Sequence, residues 1–103
     1  MHIQFSYKQV NAQDKVFLEN YIDKKIERIK NLLDTEKFSN AILDIRVEKF
    51  VKKNACQVEL HFSFPGGNFM ASEDDHTIIE AFDLALDKLV MQLRRQHEKE
   101  KVK

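Results

Sequence analysis

Only one cysteine, one proline and two glycines occur in this chain of 103 residues, and each scarcity removes a class of protein. Cys56 has no partner for an internal disulfide, so a reducing, cytosolic address is expected. So little proline and glycine leaves no linker or low-complexity stretch, and no motif recurs at the spacing of a repeat protein. No apolar run approaches the roughly 18 residues that span a bilayer. Near Met1 there is no succession of charged, apolar and small residues of the kind that marks a secretion signal. A membrane partner is therefore not expected. An excess of charge is missing as well: 17 basic residues balance 17 acidic ones. That disfavours a strongly basic nucleic-acid binder, whose affinity rests on neutralised phosphates. The placement of charge matters more than its sum, so the surface pattern decides.

Hydrophobic residues make up 43% and charged residues 33%, the composition of a globular chain. At this length folding hides roughly 60–68% of the unfolded surface, enough for one core without staples. His2 to Tyr7 alternates with period two, Ile3, Phe5 and Tyr7 on one side, which predicts a half-buried strand. Asn11 is placed to cap a helix, with Asp14 in its first turn. From about Asp14 to Leu33 the period is helical, with Leu18, Ile22, Ile26, Ile29 and Leu33 in one stripe. Residues 34–40 read as a polar connection broken by Phe38.

Two longer strands follow. Ala41, Leu43, Ile45 and Val47 share one face of the first. Cys56, Val58, Leu60, Phe62 and Phe64 share one face of the second. Val51 to Asn54 reads as the hairpin tip between them. One polar face per strand is the pattern of an antiparallel sheet covered on a single side. Pro65-Gly66-Gly67-Asn68 signals a turn, and a short strand, Phe69 to Ser72, comes next. Asp74 and Asp75 are expected to introduce a second helix, with Thr77 and Glu80 at capping-box spacing. Its stripe of Ile79, Phe82, Leu86, Leu89 and Leu93 runs to about Gln96. The expectation is one domain over residues 1–96 and a charged, flexible tail over 97–103.

The order β-α-β-β-β-α predicts an α+β two-layer sandwich, a four-stranded sheet with two helices on one face, like double-stranded-RNA-binding domains. A right-handed crossover makes the first two strands parallel, and the rest form a meander.

Few groups converge for catalysis. The four histidines are scattered, with no His-x-x-x-His or Cys-x-x-Cys spacing, so neither a metal nor a cofactor is expected. Cys56 falls on the inward side of its strand and reads as a small apolar residue rather than a thiolate. Glu80, Asp83 and Asp87 lie along one flank of the second helix and read as a solvated face, since no histidine joins them. Pro65-Gly66-Gly67 starts no helix and cradles no phosphate. No catalytic residue and no small-molecule substrate follow.

The basic residues carry more information. Wound about Ile22, Lys25, Arg28 and Lys24 fall at roughly −60°, −120° and −160°, with Asp23 and Glu27 on the other side. Wound about Leu86, Gln92, Lys88 and Arg95 fall at roughly −120°, −160° and 180°, with Lys99 near −140° if the helix extends that far. Arg94-Arg95 leads into the lysine-rich tail. Each helix separates its charges by side, which salt-bridge decoration of solvated faces also produces. Two helices segregated in the same sense favour a surface that meets phosphate. No aromatic array interleaves with these residues, so shape and backbone recognition fit better than base reading.

Ala71-Ser72, Ala81-Phe82-Asp83, Asp87-Lys88-Leu89 and Gln92-Leu93 resemble the motifs of the ribosome hibernation-promoting factor family, which includes the sigma-54 modulation proteins. The resemblance covers essentially the whole chain and the same element order. It implies a stress or stationary-phase protein that binds the small ribosomal subunit between head and body, where messenger and transfer RNA would sit. Basic helix residues would contact ribosomal RNA there and hold the ribosome inactive. On this resemblance Lys25, Arg28, Lys88, Arg95 and Lys99 match basic positions, and Gln92 matches a family glutamine. With Lys24 and Arg94 from the charge pattern, these are the expected RNA-contacting residues. Thr77-Ile78-Ile79 and Met91 depart from the family pattern. The chain resembles short forms without a C-terminal dimerisation domain, so a free monomer is expected. Two other readings stay open, a module for free structured RNA and a scaffold domain without RNA.

Overall fold

The computed structural model describes residues 1–101, without the side chains of residues 97 and 99–101. Strand β1 (His2–Lys8) leads into helix α1 (Ala12–Lys25), whose first turn is closed by the Asp14 N–H donating to Asn11 Oδ1 at 2.7 Å. A single helix to Leu33 is not what forms. Ile26 separates α1 from the short α2 (Glu27–Lys30), although its φ of −58° and ψ of −29° keep it helical. The Ile29 N–H reaches back only three residues to the Ile26 carbonyl, at 3.0 Å, so the helix tightens here. Residues 34–40 are not an irregular connection either. Asp34 caps a further helix, α3 (Thr35–Ser39), its carboxylate accepting from the Lys37 N–H at 2.8 Å. Aspartate bonds backbone donors more effectively at a cap than within a helix, which favours a new helix start at Asp34.

Strands β2 (Ile42–Phe50) and β3 (Ala55–Phe64) are joined by a tight 3-10 turn over Val51–Lys53, with Asn54 left-handed at φ 49°. Pro65 and Gly66 then join β3 to β4 (Gly67–Asp75), and Gly66 takes the positive φ, 106°, that such a turn requires. β4 is longer than the alternation of Phe69 to Ser72 implies and absorbs Asp74 and Asp75. These two carboxylates therefore end a strand rather than begin a helix. Helix α4 (Ile78–Lys101) starts at Thr77, whose hydroxyl accepts from the Glu80 N–H at 3.1 Å. It continues past Gln96, where its apolar stripe stops, through residues expected as a flexible tail. Arginine, glutamine, glutamate and lysine are strong helix formers, so propensity carries the helix beyond its packed part.

The sheet order is β1-β2-β3-β4, with β1 parallel to β2 and the other pairs antiparallel. Register aligns the inward residues in rows: Ile3, Leu43, Phe62 and Phe69, then Phe5, Ile45, Leu60 and Ala71. Against this face pack Leu18, Ile22 and Ile29, and from α4 Phe82, Leu86, Leu89 and Leu93, all buried. The other face of the sheet is polar. The two-layer α+β arrangement expected from the element order is the one that forms.

Candidate nucleic-acid interface

α1 and α4 lie side by side on the sheet, and their charged flanks meet. Arg28 Nη1 lies 2.7 Å from Asp87 Oδ1. The Tyr21 hydroxyl donates to the Asp83 carboxylate at 2.8 Å, while its ring meets Phe82 edge-on at 6.0 Å. Burial above all, then the bond to Asp83 and its charge, pushes the Tyr21 hydroxyl up to about 12, against the opposing pull of Arg28. The basic flank of α1 and α2 therefore faces the acidic flank of α4. Glu80, further up that flank, is raised by its hydrogen bond to Asp75. These acids are not a plain solvated face; Asp83 and Asp87 form a polar seam between the helices.

The expected basic residues consequently form two groups. Lys25 and Arg28 border the seam, with Lys25 Nζ 5.3 Å above the Tyr21 ring. Arg94 joins them, because seven residues beyond Asp87 it returns to the same flank. Lys88, Gln92 and Arg95 lie on the far flank, towards the β4 edge. There Lys88 pairs with Glu73, an inward-facing charge on the edge strand. Gln92 Nε2 donates to the Met70 carbonyl at 2.9 Å, satisfying a backbone group of that edge. Arg95 Nη2 rests 3.6 Å from Met91 Sδ and is otherwise exposed. Lys24 and Arg94 are exposed and carry no ion pair among the described residues. The side chain of Lys99 lies outside the described residues.

Sequence periodicity placed Lys24, Lys25, Arg28, Lys88, Gln92 and Arg95, but not Arg94, on a flank, and it gave no sign that the flanks interlock. Tyr21 and Glu73 are not singled out by the sequence as site residues, and Asp83, which reads from the sequence as part of a solvated face, bonds Tyr21 instead. The signal available was Tyr21 next to Ile22, a polar-tipped ring at the edge of a buried stripe. Both ion pairs are partly exposed and so weakly held, in the range of about 0–1 kcal/mol, and phosphate oxygens can replace either carboxylate.

Among the described residues no three His, Cys, Asp or Glu side chains come together as metal ligands. Cys56 is buried, which raises its thiol and keeps it protonated. No described helix is long and apolar enough to cross a membrane.

The chain is similar to several known proteins. A hibernation-promoting factor of Pseudomonas putida, described as "Ribosome hibernation promoting factor", is 31% identical over 83 residues, covering 81% of this chain and 76% of that protein. Among solved structures, the N-terminal domain of Thermus thermophilus Protein Y superposes with a TM-score of 0.75 at 24% identity, covering 92% of this chain and 98% of that one. A ribosomal subunit interface protein from Coxiella burnetii gives a TM-score of 0.65 at 20% identity over the full length of both. These two share the fold. The family profile described as "Sigma 54 modulation protein / S30EA ribosomal protein" matches residues 3–101, so the chain belongs to that family.

Proposed function

We propose that this protein is a cytoplasmic, ribosome-associated translation inhibitor rather than an enzyme. It binds the small subunit along the messenger and transfer RNA path and holds idle ribosomes inactive. Family membership and the Pseudomonas putida relative's description support the ribosome as partner. The observation that carries the RNA contact is the layout of the helical layer. Lys24, Arg94 and Arg95 present uncompensated charge, and Arg28 and Lys88 sit in exchangeable pairs, all on a chain of zero net charge. Charge so arranged attracts a phosphate backbone locally without making the whole chain adhere to nucleic acid. Residues 1–96 supply this surface, and the free protein acts as a monomer.

Sucrose-gradient sedimentation with purified ribosomes and separated subunits tests the reading. Association with small subunits and whole ribosomes is expected, reduced when initiator transfer RNA is bound beforehand. Three to five phosphate contacts give a log–log salt slope of roughly −2 to −4. Binding to free duplex RNA without ribosome association, or a flat salt response, would contradict it.

A further inference from the structure

The β2–β3 tip lies at the end of the sheet where α4 begins and has a different chemistry from the helical flanks. Lys49, Lys52 and Lys53 fall within five residues of one another, and Phe50 and Val51 stand among them. Phe50 pairs with Ala55 at the last rung of the hairpin, and the 3-10 turn with left-handed Asn54 brings the chain back tightly. The lysines are thereby held at the end of a paired ribbon instead of on a loose loop. Val51 is 68% exposed, an unusual position for a branched apolar side chain. Together with Gln9 and Glu48, the tip lines an open notch of about 570 Å³. Lys53 Nζ lies 5.8 Å above the Phe50 ring, while the Glu48 carboxylate is already engaged by Lys8 Nζ at 3.7 Å. The notch is cationic, with an aromatic wall.

We infer that this tip is a second RNA-binding site, one that takes an unpaired nucleotide strand. Lysines hold the backbone phosphates and Phe50 offers its ring to a base, the combination that single-strand binding uses. On the helices Phe17 is exposed but stands a full two turns before Lys24, whereas here the sequence Lys49-Phe50-Val51-Lys52-Lys53 interleaves aromatic and basic residues directly. α4 begins beside the tip, since Cys56 pairs with Asp75, and runs away from it. At about 1.5 Å per residue, Arg94 and Arg95 are some 25 Å distant along that helix. The two sites therefore engage separate stretches of RNA. That the strand belongs to ribosomal RNA rests on the function proposed above; the tip's preference for an unpaired strand does not.

The test uses the full chain and two variants, Lys52→Gln/Lys53→Gln and Phe50→Leu, each measured for ribosome pelleting, for low-salt anisotropy with a labelled unstructured RNA, and for thermal melting. The lysine pair should lower the magnitude of the salt slope by about 1.5, from roughly 0.7–0.9 per lost phosphate contact. Phe50→Leu keeps the apolar bulk but loses the ring, and should weaken both associations about tenfold with the slope unchanged. Wild-type binding of both partners by variants that melt normally would overturn the proposal. So would tip-dependent pelleting by a protein that ignores the oligonucleotide, which would assign the tip to a ribosomal protein. Tip-dependent oligonucleotide binding without ribosome association would uphold the site and reject the ribosome as partner. A wild-type chain that binds neither would defeat both.

Discussion

Arg28 and Asp87 meet across the seam between the two helices, Nη1 to Oδ1 at 2.7 Å, so a residue expected to touch RNA is restrained by an acid from the neighbouring helix. Asp87 thereby sets how available Arg28 is to a phosphate. Changing Asp87→Asn should cost little stability, within about 1 kcal/mol for an exposed pair. Ribosome association should tighten, because an anion beside the incoming backbone is gone and Arg28 is released. Pelleting at several salt concentrations checks this; weaker binding would show that the pair holds Arg28 in its working position.

Tyr21 offers a spectroscopic report on the same seam. Its hydroxyl is raised to about 12 in the folded protein, from an ordinary value of 10.0. Folding thus favours the neutral phenol. The stability this contributes is full below pH 10 and is lost as pH climbs from 10 towards 12. Ultraviolet difference titration should show a tyrosine ionising late, and Asp83→Asn should bring its midpoint down part of the way. The fall is partial because burial, which that substitution leaves in place, is the larger cause.

Gln92 separates a structural role from a recognition role. Its amide holds the Met70 carbonyl of the edge strand, so Gln92→Ala should destabilise the fold by about 0.5–1.5 kcal/mol. For a domain of this size that is a fall of roughly 4–8 °C in melting temperature per kcal/mol. Ribosome affinity measured well below the melting temperature should change less than for removal of an arginine. A large loss of affinity with unchanged melting would make Gln92 an RNA contact instead.

Much of this fold was legible in the sequence because burial imposes a period. Leu43, Ile45 and Val47 against Cys56, Val58, Leu60 and Phe62 could face only one way, and the stripe from Phe82 to Leu93 fixed how α4 lies. What the period missed has local causes. The apolar spacing continues to Leu33, but the helix is interrupted at Ile26 and ends at Lys30, and Asp34 then caps a separate short helix. β4 runs on through Glu73 to Asp75, where an edge strand accepts charge that alternation alone reads as a loop. α4 outlasts its last buried residue because propensity needs no core. For the candidate site, the wheel angles placed Lys25, Arg28, Lys88 and Arg95 on the correct flanks. They could not show that one helix's basic flank abuts the other's acidic flank, since that depends on the order of helices across the sheet and on side-chain reach. Arg94 shows the limit most plainly. Adjacent to Arg95 in the chain, it belongs to the opposite flank and the other basic group.

The central claim is that exposed helical charge binds the ribosome, and Lys24, Arg94 and Arg95 test it with least disturbance to the fold. None of the three carries an ion pair among the described residues, so glutamate at all three positions should cost no more than about 0.5 kcal/mol each. Ribosome pelleting and thermal melting of the Lys24→Glu/Arg94→Glu/Arg95→Glu protein, side by side with the unaltered chain, form the direct measurement. The account predicts near-normal melting and loss of most ribosome association at moderate salt, as repulsion replaces attraction at each contact. A variant that melts normally and pellets with ribosomes as the unaltered chain does would contradict it.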